Sequence, residues 1–135
     1  MGPSQVNVTI LERLCPLDSC PYYLSDLGRP FRKEEGSLSS PYYPKSYPRY
    51  LNKEYNISTR TGKIVIKFTS FNTEQCCDKV TIRDADGTIL LRNHSGSRVP
   101  AEIISNTNKV SVIFVTDSGG AGSGWSLDWE SALTF

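Results

Sequence analysis

The sequence predicts an all-β protein, an antiparallel β-sandwich of two sheets, on three observations. Apolar and polar residues alternate with period two along several short runs. Turn-forming residues separate these runs at close and regular spacing, which is typical of sandwiches and barrels. The sequence contains no helical stripe of apolar residues of useful length. One buried face per sheet accounts for the clean alternation.

The alternating runs define the predicted strands in chain order. They lie at residues 55–57, 63–69, 80–82, 88–91, 101–104, 109–116 and 125–129. Turn signals separate them, including Thr61-Gly62, Asp86-Gly87 and Ser95-Gly96. The side chains that we expect on the inner faces form the predicted core: Ile57, Ile64, Ile66, Phe68, Val80, Ile82, Val110, Val112, Phe114 and Leu127.

The first 34 residues lack the alternation and contain two of the four cysteines, Cys15 and Cys20. We predict that residues 1–34 form an N-terminal extension tied to the sandwich. The sandwich itself is predicted to occupy residues 35–135. The length of 135 residues fits one principal domain.

Several short motifs of the predicted sandwich resemble those of CUB domains, in the same order and at similar spacing. They are Gly36 to Pro44 followed by Tyr47-Pro48, Phe68 to Glu74, Asp78 to Asp84, Phe114 to Asp117, and Gly124-Trp125. The resemblance spans roughly Gly36 to Ser131 and implies a CUB-like sandwich of the jelly-roll type. It also implies a binding module and not an enzyme. Two family cysteine positions are Lys53 and Ser95 here, so the usual disulfide connectivity cannot form.

Four cysteines allow three pairings. A bond between the adjacent Cys76 and Cys77 would close a small ring, which suits normal disulfide geometry poorly. The other two pairings both tie Cys15 and Cys20 to the Cys76–Cys77 loop. We expect one of these two, without choosing between them. Zinc is disfavoured because adjacent cysteines cannot easily chelate one tetrahedral ion.

Many CUB domains bind calcium at one end of the sandwich, and the resemblance carries three ligand positions onto Glu74, Asp78 and Asp117. Calcium takes six to eight oxygen ligands, several of them carboxylates. The resemblance therefore implies a calcium site, to which Ser118 and Gly119 could add hydroxyl or carbonyl oxygens. The alternative is a set of solvated loop acids without an ion.

The region from residue 42 to residue 53 is rich in tyrosine and basic residues. Tyrosine is favoured at interfaces because it is amphipathic and has few rotatable bonds. A contact surface for a glycan would use Tyr42, Tyr43, Lys45, Tyr47 and Arg49. The alternative is that the Tyr-Pro units are packing elements. The family resemblance implies instead a protein partner, whose lysine could dock on calcium-held carboxylates.

Composition and motifs indicate an extracellular location, either secreted or in the ectodomain of a membrane protein. The N-terminus shows no secretory signal, but N-x-S/T sequons occur at Asn7, Asn56 and Asn93 as candidate glycosylation sites, and the sequence leaves their occupancy open. We expect Asn56 on the outer face of its strand and Asn93 in a turn. The net charge of +1, with acids and bases intermixed, argues against nucleic-acid binding. No apolar run approaches the length of a membrane span. A single histidine, His94, in a polar segment does not suggest a catalytic triad.

Overall fold

The structure is a computed structural model of the chain. It describes residues 22–24, 30–60, 62–119 and 121–132. The chain divides into two compact units, Met1–Glu34 and Glu35–Phe135. In the first unit, strands β1 (Tyr22–Leu24) and β2 (Pro30–Arg32) pair antiparallel. The described residues include no helix with the length and hydropathy of a membrane span.

The second unit is the predicted sandwich, and its strands follow the alternating runs of the sequence. They are β3 (Glu35–Ser39), β4 (Asn52–Ser58), β5 (Lys63–Asn72), β6 (Lys79–Asp84), β7 (Ile89–His94), β8 (Ile103–Ile104), β9 (Lys109–Val115) and β10 (Gly124–Ala132). The first sheet has the order β3-β10-β5-β8, and the second sheet has the order β4-β9-β6-β7. All pairs are antiparallel, so the predicted all-β sandwich is confirmed.

The core lies between the two sheets, and every predicted core residue is buried. Trp125 occupies its centre with no exposed surface and makes edge-to-face contacts with aromatic rings from both sheets. Its ring centroid lies 6.1 Å from that of Phe68 in the first sheet, and 5.6 and 5.8 Å from those of Tyr55 and Phe114 in the second. Such geometry stabilises a pair beyond the burial of apolar area alone.

A β-bulge in the first sheet brings a second aromatic residue of β5 into the core. Leu127 pairs with Phe68 and Ser126 pairs with Ser70, so Thr69 is the extra residue. Simple alternation from Phe68 would send Phe71 to the outer face. The inserted residue reverses the alternation, and Phe71 is buried at 4% exposure, with its ring centroid 5.6 Å from that of Phe68.

The antiparallel topology collects four connections at one end of the sandwich, which we call the loop end. These are the connections β3–β4, β5–β6, β7–β8 and β9–β10. Backbone hydrogen bonds join them: Tyr50 N donates to Asp117 O (3.1 Å), and Thr73 N donates to Gly96 O (2.8 Å). The acids that the sequence singled out, in the loops after β5 and β9, therefore meet at this end.

The first residue of β10 must be glycine for two reasons. Gly124 has a φ of +93°, in the left-handed region, and a Cβ there would collide with Oγ of Ser40 and lie 3.0 Å from its Cβ. We expect Gly124→Ala to lower the free energy of unfolding by the backbone cost of about 1–2 kcal/mol, plus roughly 1–3 kcal/mol for overpacking. Denaturant unfolding measures this loss.

Gly87 provides the matched control, because its φ is +94° but a Cβ at that position would meet no atom within 4 Å. Gly87→Ala should therefore lose only the backbone contribution. Equal losses in the two variants would show that the contact with Ser40 is unimportant.

Candidate functional site at the loop end

A buried carboxylate organises the loop end. Asp78 is 1% exposed, and Tyr47 Oη donates a hydrogen bond of 2.5 Å to its Oδ2. The backbone N of Asp117 donates to Oδ1 of the same residue at 3.0 Å. Asp78 thus joins the loops before β4, before β6 and after β9. A buried charge requires such donors, because burial without hydrogen bonds is costly.

The loop between β5 and β6 is a tight turn that presents Glu74 beside Asp78. The backbone N–H groups of Cys77 and Asp78 both donate to the carbonyl of Glu74, at 3.3 and 3.2 Å. The backbone N of Glu74 in turn donates to Tyr47 Oη at 3.0 Å. Tyr47 is 3% exposed, and its burial, together with the hydrogen bond to Asp78, raises its pKa to about 12. The hydroxyl therefore stays protonated and serves as a donor.

Glu74 and Asp117 approach each other at the surface of this end. One ligand atom each of Glu74, Cys77 and Asp117 lies within 4.8 Å of the others. The loop after β9 closes over Glu74 at Gly119, where a Cβ would lie 2.8 Å from Glu74 Oε2. The backbone N of Gly119 donates to Asp117 Oδ1 at 2.8 Å. The absence of a Cβ at residue 119 allows this close approach.

The structure gives the predicted ligand residues different positions. Glu74 is half-buried and Asp117 is exposed, and one carboxylate oxygen of each lies within 4.8 Å of the other. Asp78 lies beneath them with both oxygens already accepting hydrogen bonds. Ser118 is exposed and Gly119 is half-buried. Carboxylate oxygens are the donors that calcium prefers, so the side chains present fit a calcium ion by their chemistry.

The disulfide prediction is wrong at the Cys76–Cys77 loop. Cys76 and Cys77 are bonded to each other, with their Cα atoms 3.7 Å apart. The tight turn explains this pairing, because Cys76 has a φ of +85° and the turn brings the neighbouring side chains together. Cys15 and Cys20 lie outside the described residues.

The predicted tyrosine-rich contact surface is only partly at the surface. Tyr42 is 72% exposed, and Lys45 and Arg49 are exposed. Tyr43 is half-buried and its hydroxyl is hydrogen-bonded to Ser70 Oγ. Tyr47 cannot contribute to a contact surface, because its ring packs on Phe114 and its hydroxyl contacts Asp78. Assigning Tyr47 to that surface was therefore wrong.

Sequence reasoning missed two features of this end. It did not identify Tyr47 as the donor to Asp78, which lies 31 residues further along the chain, and no local pattern signals this contact. It also omitted Tyr50, which is 76% exposed and whose backbone N contacts Asp117. No local pattern distinguishes Tyr50 from the packed tyrosines, since its exposure depends on how the loop folds.

The two described sequon asparagines are both exposed. Asn56 points away from the core while Ile57 is buried, as the predicted register requires. Asn93 was expected in a turn but lies in β7, with a φ of +44°. Asn7 lies outside the described residues. Glycosylation at these positions remains a prediction.

The hydroxyl of Tyr47 should contribute to stability through the buried carboxylate. Tyr47→Phe removes the donor to Asp78, and we expect a loss of about 1.5–3 kcal/mol in the free energy of unfolding at neutral pH, the usual range for hydrogen bonds to charged groups. Tyr42→Phe is the matched control, because its ring is exposed and the change should affect stability little.

A pH series on the wild type and Tyr47→Phe tests the raised pKa of Tyr47. The pKa of this hydroxyl in the folded protein is about 12, above the ordinary value of 10.0, so its contribution to stability is complete below pH 10 and is lost between pH 10 and 12. The wild type should lose more stability than Tyr47→Phe over this interval in urea titrations. Parallel losses in both proteins would show that the pKa is not raised.

Comparison with known proteins agrees with the fold and motifs. A family model described as CUB domain matches residues 27–129. Cubilin of Canis lupus familiaris is 34% identical over 113 residues, which cover 77% of this chain and 3% of cubilin. An astacin-like metalloendopeptidase of Gallus gallus is 29% identical over 139 residues, covering 98% of this chain and 32% of that protein. The chain thus spans only a small part of these relatives.

Solved structures show the same fold. The MASP-1 CUB2 domain bound to Ca²⁺ has a TM-score of 0.65 and 22% identity, covering 70% of this chain and 90% of that one. The full extracellular region of zebrafish Gpr126/Adgrg6 has a TM-score of 0.61 and 25% identity, covering 74% of this chain and 14% of that one. From the family match and the jelly-roll sandwich together, the chain belongs to the CUB domain family.

Proposed function

We propose that this chain is an extracellular protein-recognition module of a larger secreted or membrane-anchored protein, and that calcium organises its recognition site at the loop end. One observation carries the proposal. The carboxylates of Glu74 and Asp117 come within 4.8 Å of each other at an accessible end of the sandwich. Two carboxylates this close repel each other, and a cation between them relieves the repulsion.

The surrounding residues support an oxygen-ligated cation. Each carboxylate oxygen has two lone pairs, so the hydrogen bonds from Tyr47 and Asp117 do not exhaust the capacity of Asp78 to contribute. Ser118 and Gly119 lie in the loop that closes over Glu74 and can supply further oxygens. A related fold, the MASP-1 CUB2 domain, is bound to Ca²⁺ in its crystal structure. Bound calcium would fix the loops and fill the space between the carboxylates.

The partner chemistry follows from the charge of the site. Three carboxylates and one divalent cation leave a net negative charge, which attracts a cationic side chain of a partner protein. A lysine ammonium could donate charge-assisted hydrogen bonds to Glu74 or Asp117, and such bonds are about twice as strong as neutral ones. The proposed partner is therefore an extracellular protein that presents a lysine.

We propose a binding role and not a catalytic one. The single histidine, His94, is hydrogen-bonded through Nε2 to the carbonyl of Arg98 at 2.7 Å, and its ring packs on Phe71. Its Nε2 is thereby engaged by a backbone carbonyl. Acyl transfer or hydrolysis would need a nucleophile and a base within hydrogen-bond reach of each other.

Calcium should raise the melting temperature, because an ion that binds only the folded protein stabilises it by mass action. We expect the melting temperature to rise at calcium concentrations of about 10⁻⁴ to 10⁻³ M, the range of dissociation constants of extracellular calcium modules. Asp117→Asn should abolish the shift without unfolding the protein, whereas Asp128→Asn, in an exposed position of β10, should retain it. Differential scanning fluorimetry after chelator treatment measures these shifts. An unchanged melting temperature up to several millimolar calcium would rule out the site.

A second candidate, glycan binding, is favoured by the exposure of Tyr42, Lys45 and Arg49. Two probes separate the candidates. Retention on immobilised poly-lysine should disappear in chelator and in Asp117→Asn if the acidic site recognises lysine. If the loop that carries Lys45 and Arg49 binds sulfated glycans, retention on heparin should fall as salt is added. It should also fall in the double variant Lys45→Ala, Arg49→Ala. Salt-sensitive heparin binding without any chelator-sensitive poly-lysine binding would overturn the lysine-docking mechanism.

A further inference from the structure

Two sequons occupy opposite edges of the same sheet. Asn56 lies on β4 and Asn93 lies on β7, and these strands are the two outer strands of the second sheet. Both asparagines are exposed. No position of the strands in the first sheet belongs to a sequon. The sequons are therefore confined, within the sandwich, to one sheet and to its edges.

The amides of the two asparagines are held in the same way by the neighbouring inner strand. Ser111 Oγ of β9 donates to Asn56 Oδ1 at 2.9 Å, and Thr81 Oγ1 of β6 donates to Asn93 Oδ1 at 3.1 Å. In each case the oxygen is engaged, and Nδ2 makes no hydrogen bond to any residue that the structure describes.

Two asparagines outside sequons behave differently. Asn108 Nδ2 donates to the carbonyl of Thr59 at 2.7 Å, and Asn106 Nδ2 donates to Asp86 Oδ2 at 3.2 Å. Their nitrogens are committed to loop structure. At Asn56 and Asn93, in contrast, the amide oxygen accepts a hydrogen bond. The amide nitrogen, which is the atom that carries an N-glycan, has no hydrogen bond to a described residue.

An edge strand presents a row of backbone N–H and C=O groups that can pair with another chain. We propose that Asn56 and Asn93 both carry N-linked oligosaccharides, and that these glycans protect the two edges of the second sheet from pairing with another chain. The bulk of each glycan prevents close approach to its edge.

The modification is a glycosyl transfer from a lipid-pyrophosphate-linked oligosaccharide. The Nδ2 atom forms a bond to C1 of the first sugar and loses one proton, while the bond from C1 to the phosphate oxygen breaks. The lipid pyrophosphate leaves with the bonding electrons. Oδ1 remains available afterwards to accept from Ser111 or Thr81.

Occupancy is tested on the full chain secreted from mammalian cells. Digestion of the folded protein with peptide N-glycosidase, in ¹⁸O water and without denaturant, should label the peptides of both Asn56 and Asn93. Release from the native protein is expected because both residues are exposed. An unmodified Asn56 or Asn93, in the native digest and in a parallel digest after denaturation, would overturn the proposal.

Edge protection is tested by matched sequon variants. Ser58→Ala removes the sequon of Asn56, whereas Ser58→Thr keeps it, and Ser95→Ala and Ser95→Thr do the same for Asn93. Each alanine variant should lose one glycan and show concentration-dependent dimers in sedimentation velocity, while each threonine variant remains monomeric. Identical sedimentation of the alanine and threonine variants would contradict the protective role. Ser95 Oγ also accepts from the backbone N of Cys76 at 3.3 Å, so the comparison at Asn93 includes Asn93→Asp, which removes the sequon and keeps this contact. Sedimentation is measured in chelator, so the outcome is separate from that of the proposed calcium site.

Discussion

The hydrogen bonds to the Asp78 carboxylate hold the loop end of this sandwich together. Its two oxygens accept from Tyr47, before β4, and from the backbone of Asp117, after β9, while Asp78 itself precedes β6. One buried charge therefore fixes three connections that are far apart in sequence. Because an uncompensated buried carboxylate is costly, each loop must keep the position that supplies its donor.

The candidate site depends on this arrangement. Tyr47 also accepts from the backbone of Glu74, so the residue that holds Asp78 fixes the start of the acidic turn. Asp117 uses its backbone to hold Asp78 and leaves its side chain at the surface. The buried aspartate and the exposed carboxylates thus have different roles. Asp78 positions the loops, and Glu74 and Asp117 are the carboxylates that we propose as calcium ligands.

The sandwich beneath the loops is held by aromatic packing across the two sheets. Trp125, at the start of β10, contacts rings from both sheets and follows directly after Gly124. The close approach of Gly124 to Ser40 places the start of β10 against the end of β3, and Trp125 N donates to Ser40 Oγ at 3.0 Å. The same contact thus positions both the core tryptophan and the loop that carries Asp117.

Local alternation predicts which side chains of a regular strand face the core, because successive residues point to opposite faces. It could therefore predict the burial of Ile64, Ile66 and Phe68, and the exposure of Asn56. The bulge at Thr69 lay beyond such reasoning, since it depends on pairing with Ser126 and reverses the alternation before Phe71.

The site shows the same division. The sequence, through its family resemblance, identified Glu74 and Asp117 as acids of neighbouring loops, which the antiparallel topology brings together. The burial of Asp78, the role of Tyr47 as its donor and the bond between Cys76 and Cys77 became visible only in the folded chain. The physical reason is that burial and hydrogen bonding depend on which loops meet in space, whereas residue type and spacing constrain only the neighbours along the chain.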